Sequence, residues 1–433
     1  MLFDVRSETL PREELRTLQL LRLQETCLRA YSNVPFYRSR FDEIGLSPHH
    51  IKKLDDIHLL PFTDKQDLLG CYPFGFFAVP LDNMVRLQAS GASGKTAVLG
   101  YTARDLANWS ELVARSLAAA GVTVRDVVHV AFDYDLFNAG LGLHAGTERL
   151  GALVVPALGA VQSRQASLLR DFGVTVLCCA PSHAMRLWEN GQEEGIDFRD
   201  LPLRLGCFCA EPWTDGVRRE IEQKMGMNAL NLYGLAEMMG PGVAAECAEA
   251  KCGLHLWEDH YLPEIINPVT GETLPDGEQG ELVLTTLVRE GVPLLRYRTH
   301  DLTSIDNVPC SCGRTHRRIA PIAGRTDDML IVHGVNVFPL QIKKLLMEKE
   351  GISPNFQLVV EREKNIDTLE VRVEVTEHLF GDEIRKLQML EKRLQKNIKE
   401  YLGINARVRL MEPQAHSCSD RIEKLVVDKR SSN

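Results

Sequence analysis

An α/β fold, with parallel sheets in a large amino-terminal domain and a small α+β domain at the carboxy terminus, is the class this sequence predicts. Three observations predict it. From residue 103 to residue 226, short apolar runs of strand type alternate with helical stretches, the pattern of a parallel sheet with crossover helices. Residues 261 to 305 change to brief β-type runs joined by turn formers, which points to an antiparallel β element. Beyond Gly324 a helix, two strands, a charged helix and a strand follow one another, so the boundary is set to give domains 1–323 and 324–433.

In chain order, the stretch from Glu13 to about Tyr37 brings Leu15, Leu18, Leu21, Leu23 and Leu28 near helical spacing, and Pro35 breaks the pattern; an amphipathic opening helix is expected. The expected central strands are VVHVAF from 127, ALVVPA from 152, VTVLCCA from 174 and RLGCFCA from 204. Helices are expected at DLANWSELVARSLAAAG and PWTDGVRREIEQKMG. The runs YLPEIINP, GELVLTTL and RYRTHDLTSID are separated by Asn-Pro, Thr-Gly-Glu and Pro-Asp-Gly turn signals. The tail should hold a helix from Pro339 to Glu350, strands FQLVVE and TLEVRVEV, a helix from Gly381 to about Tyr401, and the strand ARVRLM. Cys178, Cys179, Cys207 and Cys209 fall inside apolar runs and are expected in the core.

Composition narrows the function classes. The 433 residues are 44% hydrophobic and 25% charged, ordinary values for a globular chain that buries its own core. Lys and Arg number 50 against 59 Asp and Glu, a net charge of -9 that argues against a nucleic-acid partner. The opening MLFDVRSETLPREELRTLQLL has no signal-peptide core. No run approaches the ~18 apolar residues of a membrane span. A cytoplasmic protein without membrane association is expected, and its eleven cysteines are expected as thiols or metal ligands rather than disulfides.

Some stretches carry chemistry. In SGASGKT (90–96) the glycines admit an anion, Ser90 and Ser93 offer hydroxyls and Lys95 adds positive charge. The spacing is not that of a P-loop, which would need a glycine where Ala89 stands. On this stretch alone a phosphate loop and a plain turn are equally open. CAEAKCGLH offers Cys247, Cys252 and His255, and CSCGRTH offers Cys310, Cys312 and His316. That pair-plus-pair layout suits tetrahedral Zn²⁺, with Cys247, His255, Cys310 and Cys312 as the expected ligands and Cys252 as a substitute for Cys247 or His255. Buried free thiols are the alternative.

With SGASGKT, NLYGLAE (231–237), RYRTHDL (296–302) and GRTDDMLIVHGVNVFPLQI (324–342) in this order, the chain resembles the acyl-adenylate-forming ligases, and more closely the phenylacetate–coenzyme A ligase family. The likeness runs nearly end to end, through NVPFYRSRFDEIG, LPFTDKQDL, YPFGFFAVP, EPWTDGVRREIE, GPGVAAEC, WEDHYLPEIINPVTGETLPDGEQGELVLTTL, PLLRYRTHDLT and CSCGRTHRRI. It implies a large adenylate-forming domain and a small mobile one. It also implies a two-step reaction: a carboxylate attacks the α-phosphate of ATP to give an acyl-adenylate and pyrophosphate, and the thiol of coenzyme A then displaces AMP. An aryl, phenylacetate-like acid is the implied substrate and Mg²⁺ the implied cofactor. Structural zinc is also known in the family.

The resemblance assigns roles residue by residue. Ser90, Gly91, Ser93, Gly94 and Lys95 would form the phosphate loop, and Glu237 would hold Mg²⁺. Ala210, Glu211, Pro212 and Tyr233, with Gly234 beside them, would line the adenine side of the ATP site; Asp301 would accept from the ribose. Arg325 would approach the nucleotide and Asp327 would be the hinge of the small domain, so Lys95, Glu237, Arg325 and Asp327 are the expected catalytic set. In AFDYDLFNAGLGLHAGTERLGA, Phe132, Tyr134, Phe137 and Asn138 would meet the acyl group, the phenylalanines being equally explicable as core, and Ala145 stands where a tyrosine is usual.

Two departures bear on activity. Ala92 and Thr96 replace a threonine and a proline of the usual loop. In the tail HSCSDRIEKLVVDKR, anchoring on Asp428 and Arg430 sets Arg421 at the family's glycine and Ile422 at its adenylating lysine. Loss of such a cation is expected to cost on the order of 10² to 10³ in rate. Either Arg421 or Lys424 takes over, or the protein adenylates another acceptor such as a cofactor hydroxyl, or it only binds nucleotide or acyl ligand. The ligase is the expected function; the sequence leaves the oligomeric state open, a homodimer included.

Overall fold

The computed structural model describes residues 1–132, apart from 91–95, then 134, 139–156, 164–211, 213–327, 330–332, 335–337, 339–347, 349, 351–363, 366–376, 384–412 and 425–429. The chain forms two compact units, Met1–Thr299 with Thr303–Pro321, and His300–Leu302 with Ile322–Asn433.

In the first unit the opening helix runs Arg12–Asn33, yet its buried face is not the leucine face. Leu21 and Leu28 are exposed, while Leu15, Gln19, Leu23, Thr26, Cys27 and Ala30 are buried. Two polar residues can face inward because each meets a backbone carbonyl: Gln19 Nε2 donates to Glu258 at 2.8 Å and Thr26 Oγ1 to Leu287 at 3.0 Å. Pro35 ends this helix through the extended Val34 and opens the next, Pro35–Glu43, at a position where no N–H is needed.

A hairpin follows, β1 (Arg86–Ser90) with β2 (Ala97–Tyr101), closing with Ser90 opposite Ala97. The main sheet is built from β3 (Val127–Val130), β4 (Leu153–Pro156), β5 (Val176–Cys179), β6 (Leu205–Phe208), β7 (Asn228–Leu235), β8 (Gly240–Glu246) and β9 (Leu254–Leu256). Next come β10 (Tyr261–Ile266), β11 (Gly280–Thr286) and β12 (Tyr297–Thr303), neighbours in a second sheet, in which β10 and β11 are antiparallel. Finally β13 (Ile305–Asp306) and β14 (Arg318–Ile319) complete the main sheet, whose order is β13-β14-β9-β8-β7-β6-β5-β3-β4. From β4 to β7 its neighbours are parallel; from β7 to β13 they are antiparallel. The strand where the two halves meet, β7, ends in the YGLAE stretch.

In the parallel half β5 and β6 are buried along their whole length, which calls for continuous apolar sequence, while the edge strand β4 is partly exposed. Cys178, Cys179, Cys207 and Cys209 are buried in β5, β6 and the residue after it, and burial pushes the Cys209 thiol up to about 12. Helix Ala103–Ala120 begins at a capping box made by Thr102 and Asp105 and packs against helix Ala139–Leu150.

The second unit centres on β18 (Ile352–Glu363) and β19 (Ile366–Val375), an antiparallel pair reached after β15 (Gly324–Arg325), β16 (Leu330–Val332) and β17 (Val335–Val337). The strands β20 (Ala406–Met411) and β21 (Val426–Asp428) add in parallel to β19 and β18. Helices Pro339–Met347 and Ile384–Leu402 bury Leu346, Leu394 and Ile398 with Phe356, Leu358 and Val371 of this sheet. The β12 residues Asp301 and Leu302 pair with Arg325 and Gly324 of β15.

Candidate functional site

Ser90 closes β1 and is buried; Glu237 lies just past β7 in the short turn Ala236–Met238 and is 5% exposed. The hydroxyl of Ser90 donates to the Glu237 carboxylate, and Lys65 Nζ stands 3.8 Å from the same oxygen. Lys65 opens helix Lys65–Gly70, whose N-terminus is capped by Asp64.

The turn that presents Glu237 is tightly built. A side chain on Gly234 would bring its Cβ within 2.0 Å of the Gly240 carbonyl oxygen, so only glycine lets β7 and β8 approach there. Met239 takes the left-handed conformation at φ 74° to reverse the chain. Tyr261 donates its hydroxyl to the Met238 carbonyl at 2.9 Å, and Arg289 donates to the carbonyl of Glu237. Tyr233 is buried in β7. Past β6, Ala210 has φ 74°, and Glu211 accepts from the Ser182 amide at 3.2 Å and hydroxyl at 2.7 Å. These groups stand beyond the carboxyl ends of parallel strands, where open α/β sheets hold their ligands.

Phe132 and Tyr134 follow β3 and are half-buried; Ala145, also half-buried, is on helix Ala139–Leu150. The Tyr134 hydroxyl is 3.3 Å from His144 Nδ1, and His144 Nε2 is 3.3 Å from Glu148. Burial first, then the Cys178 thiol and the Glu148 charge, push the Tyr134 phenol up to about 12, so it serves as a neutral hydroxyl.

In the second unit Arg325 holds two carboxylates. Its Nη1 donates to Asp301 at 2.8 Å, while Nε and Nη2 donate to Asp327 at 2.9 and 2.7 Å. The bidentate fork fixes Asp327 against a planar cation.

A third constellation joins distant segments of the first unit. One ligand atom each from Cys247, His255, Cys310 and Cys312 falls within 4.8 Å of the others. His255 Nδ1 lies 3.1 Å from the His316 carbonyl, an arrangement that makes Nδ1 the donor and leaves the Nε2 lone pair facing Cys312 Sγ at 3.3 Å. Cys247 and Cys310 sulfurs are 3.6 Å apart. The hydrogen bond from Cys247 holds the Cys312 thiol well below its ordinary value, and the same contact pushes Cys247 up. Cys252 is exposed and outside the cluster. His316 is engaged elsewhere, bonding the Ser7 carbonyl at 2.9 Å and the Glu258 amide at 2.8 Å. The expected site residues Gly91, Ser93, Gly94, Lys95, Pro212, Phe137 and Asn138 lie outside the described residues, as do Arg421, Ile422 and Lys424.

A family model described as AMP-binding enzyme matches residues 131–287, and one described as AMP-binding enzyme C-terminal domain matches 334–430. A phenylacetate-coenzyme A ligase of Thermus thermophilus is 45% identical over 426 residues, covering 95% of this chain and 96% of its own. The corresponding ligase of Pseudomonas putida is 49% identical over 407 residues, covering 93% and 91%. The chain belongs to the phenylacetate-coenzyme A ligase family. A solved 2-hydroxyisobutyryl-CoA ligase in its postadenylation state, complexed with 2-HIB-AMP, superposes with a TM-score of 0.88 at 29% identity, over 99% of this chain and 92% of that one.

Within this ligase fold, Lys65 and Arg289 at Glu237, and Tyr261 at the neighbouring Met238 carbonyl, are the contacts that sequence reasoning missed. Lys65 stands in LPFTDKQDL, a stretch noted for likeness alone, and nothing in its spacing ties a lysine to a carboxylate so far along the ligase chain. Among the described residues, no helix is long and apolar enough to cross a membrane.

Proposed function

We propose that this protein is an AMP-forming ligase that activates an aryl, phenylacetate-like carboxylic acid with ATP and passes the acyl group to coenzyme A. The observation that carries the reading is the buried Glu237 carboxylate at the end of the switch strand, between a hydroxyl and an ammonium. Joining two anions requires orientation, offset of charge at the α-phosphate and exclusion of water from the mixed anhydride. Glu237 and Ser90 offer hard oxygen donors that fit Mg²⁺, whose chemistry there is to offset phosphate charge. Lys65 brings a further positive charge to that carboxylate.

The remaining assignments keep the same standing. Ala210, Glu211, Tyr233 and Gly234 are proposed for the adenine side, Asp301 for the ribose, and Arg325 is proposed to approach the nucleotide. Asp327 is the proposed hinge between domains 1–323 and 324–433. Phe132, Tyr134 and Ala145, with Phe137 and Asn138, are proposed for the acyl pocket. Cys247, His255, Cys310 and Cys312 are proposed to hold structural zinc, supported by a thiolate and imidazole set converging at bonding range and by the tautomer set on His255. A cytoplasmic location suits an enzyme fed by ATP and coenzyme A.

The readings in which the protein adenylates a cofactor hydroxyl, or merely binds nucleotide, are not favoured: relatives 45–49% identical over 93–95% of the chain are phenylacetate-coenzyme A ligases. The test is pyrophosphate release from Mg·ATP with a panel of aryl and aliphatic acids, with and without coenzyme A, for the native protein and Ile422→Lys. Acid-dependent release by the native protein, with acyl-CoA formed when coenzyme A is added, is expected. Release that appears only in Ile422→Lys would overturn the reading of the native protein as an active ligase.

A further inference from the structure

We propose that Arg289 is a positioning residue that aims Glu237, an inference that rests on Glu237 being the Mg²⁺ carboxylate. The pairing of Arg86 with Tyr101, Gln88 with Leu99 and Ser90 with Ala97 sets Gln88, Ser90 and Tyr101 on one face of the β1–β2 hairpin. Ser90 on that face holds the side chain of Glu237. At the other end of the face the Arg289 guanidinium lies over the Tyr101 ring, 5.2 Å from its centre, and donates to the Glu237 backbone carbonyl. Gln88, between them, is buried with neither amide atom hydrogen-bonded. One hairpin face thus grips Glu237 at both its carboxylate and its peptide.

What separates Arg289 from a structural arginine is its pairing. The other buried arginines described in this unit each hold a carboxylate: Arg115 with Asp259 at 2.9 Å, Arg296 with Glu264 at 2.8 Å, Arg314 with Glu8 at 2.7 Å and Arg318 with Asp306 at 2.6 Å. Arg289 is 1% exposed and makes no ion pair among the described residues; its Nε and Nη2 have no hydrogen-bond partner. A buried cation without a bonded anion costs stability that an apolar side chain of like size would not. Among the described residues, the hydrogen bond its side chain makes is to the turn that carries Glu237. Tyr261, bonded to the next carbonyl at 2.9 Å, completes the grip.

The test is binding of α,β-methylene-ATP to the full chain by calorimetry, with and without Mg²⁺, in Arg289→Met, Arg289→Lys, Glu237→Gln and the double variant R289M/E237Q. Arg289→Met should weaken the Mg²⁺-dependent part of binding by about 10- to 100-fold, as loss of a residue that orients a metal ligand does. Binding without Mg²⁺ should hold, Arg289→Lys should recover most of the loss, and the double variant should bind no worse than Glu237→Gln. Additive losses in the double variant, or an equal loss without Mg²⁺, would overturn the proposal. Should Arg289→Met fail to fold, Tyr261→Phe decides by the same non-additivity with Glu237→Gln. Failure of the underlying reading shows separately: Glu237→Gln alone would leave the Mg²⁺ dependence unchanged.

Discussion

Ser90 donates its hydroxyl to the carboxylate of Glu237, a residue 147 positions further along the chain. The contact joins the end of the β1–β2 hairpin to the end of the switch strand, and so ties the start of the proposed phosphate loop to the proposed metal carboxylate. Glu237→Gln should lower the rate of adenylation by on the order of 10² to 10³ while leaving the unfolding midpoint nearly unchanged. Ser90→Ala should cost about tenfold, since it removes one hydrogen bond to a charged group and leaves the carboxylate. Pyrophosphate release under saturating ATP measures both, and unchanged turnover in Glu237→Gln would remove that residue from the site.

The purified protein should hold about one zinc per chain. Its removal by a chelator, or Cys312→Ser, should loosen the first nine residues as well as the site. The reason is connectivity: Arg314, two residues past Cys312, pairs with the buried Glu8 at 2.7 Å, and His316 bonds the Ser7 carbonyl. Hydrogen exchange of residues 1–9 should therefore quicken in Cys312→Ser. Elemental analysis without zinc, or exchange in that segment equal to wild type, would count against the assignment.

The alternating texture from 103 to 226 made the parallel sheet legible, because strands covered on both faces must be apolar along their length. The small unit was legible for the same kind of reason, its two long strands and charged helix carrying distinct periods. The opening helix was harder: burial there goes to Gln19 and Thr26, whose partners are carbonyls more than two hundred residues away. Local spacing cannot foresee a hydrogen bond at that range. The grip on Glu237 by Lys65, Arg289 and Tyr261 escaped notice likewise, since their meeting is made by the fold and not by any motif. Sequence also gave no sign that β8 would reverse against β7 and turn the parallel sheet into a mixed one.

His129 should make the protein lose stability in mild acid. It sits in β3, fully buried, and among the described residues neither ring nitrogen has a hydrogen-bond partner. Burial, with the nearby His183 second, lowers it from 6.5 to about 4. Between those values the unfolded chain takes up a proton that the folded state refuses, so stability falls as pH drops from about 6.5 to about 4 and levels off below, by up to about 3 kcal/mol for this group. In His129→Leu that part of the slope should vanish. Urea midpoints at pH 7 and pH 4.5 measure it, and equal slopes in the two proteins would refute the assignment.

Gly146 should be intolerant of alanine although it lies inside a helix, where alanine is ordinarily favoured by ~1 kcal/mol. A Cβ there would stand 2.3 Å from Val113 Cγ1 and 3.1 Å from the Val113 carbonyl carbon. The Val113 Cβ would stand 2.4 Å away, and neither it nor the backbone moves with a rotamer change, so the helix Ala139–Leu150 must shift away from Ala103–Ala120. Overpacking of this kind costs roughly 1–3 kcal/mol, enough to outweigh the gain in propensity. The shift would also carry His144 away from Tyr134, a contact only 3.3 Å long, at the proposed acyl pocket. Gly146→Ala should therefore lower the unfolding midpoint and raise KM for the acid more than KM for ATP. Val113→Ala in the same chain should restore little of the midpoint, since it removes the Cγ1 contact but keeps the Val113 Cβ at 2.4 Å and the backbone contact. A midpoint at or above wild type in Gly146→Ala would mean that the two helices have room to separate without loss, and that their close packing does not set the acyl pocket.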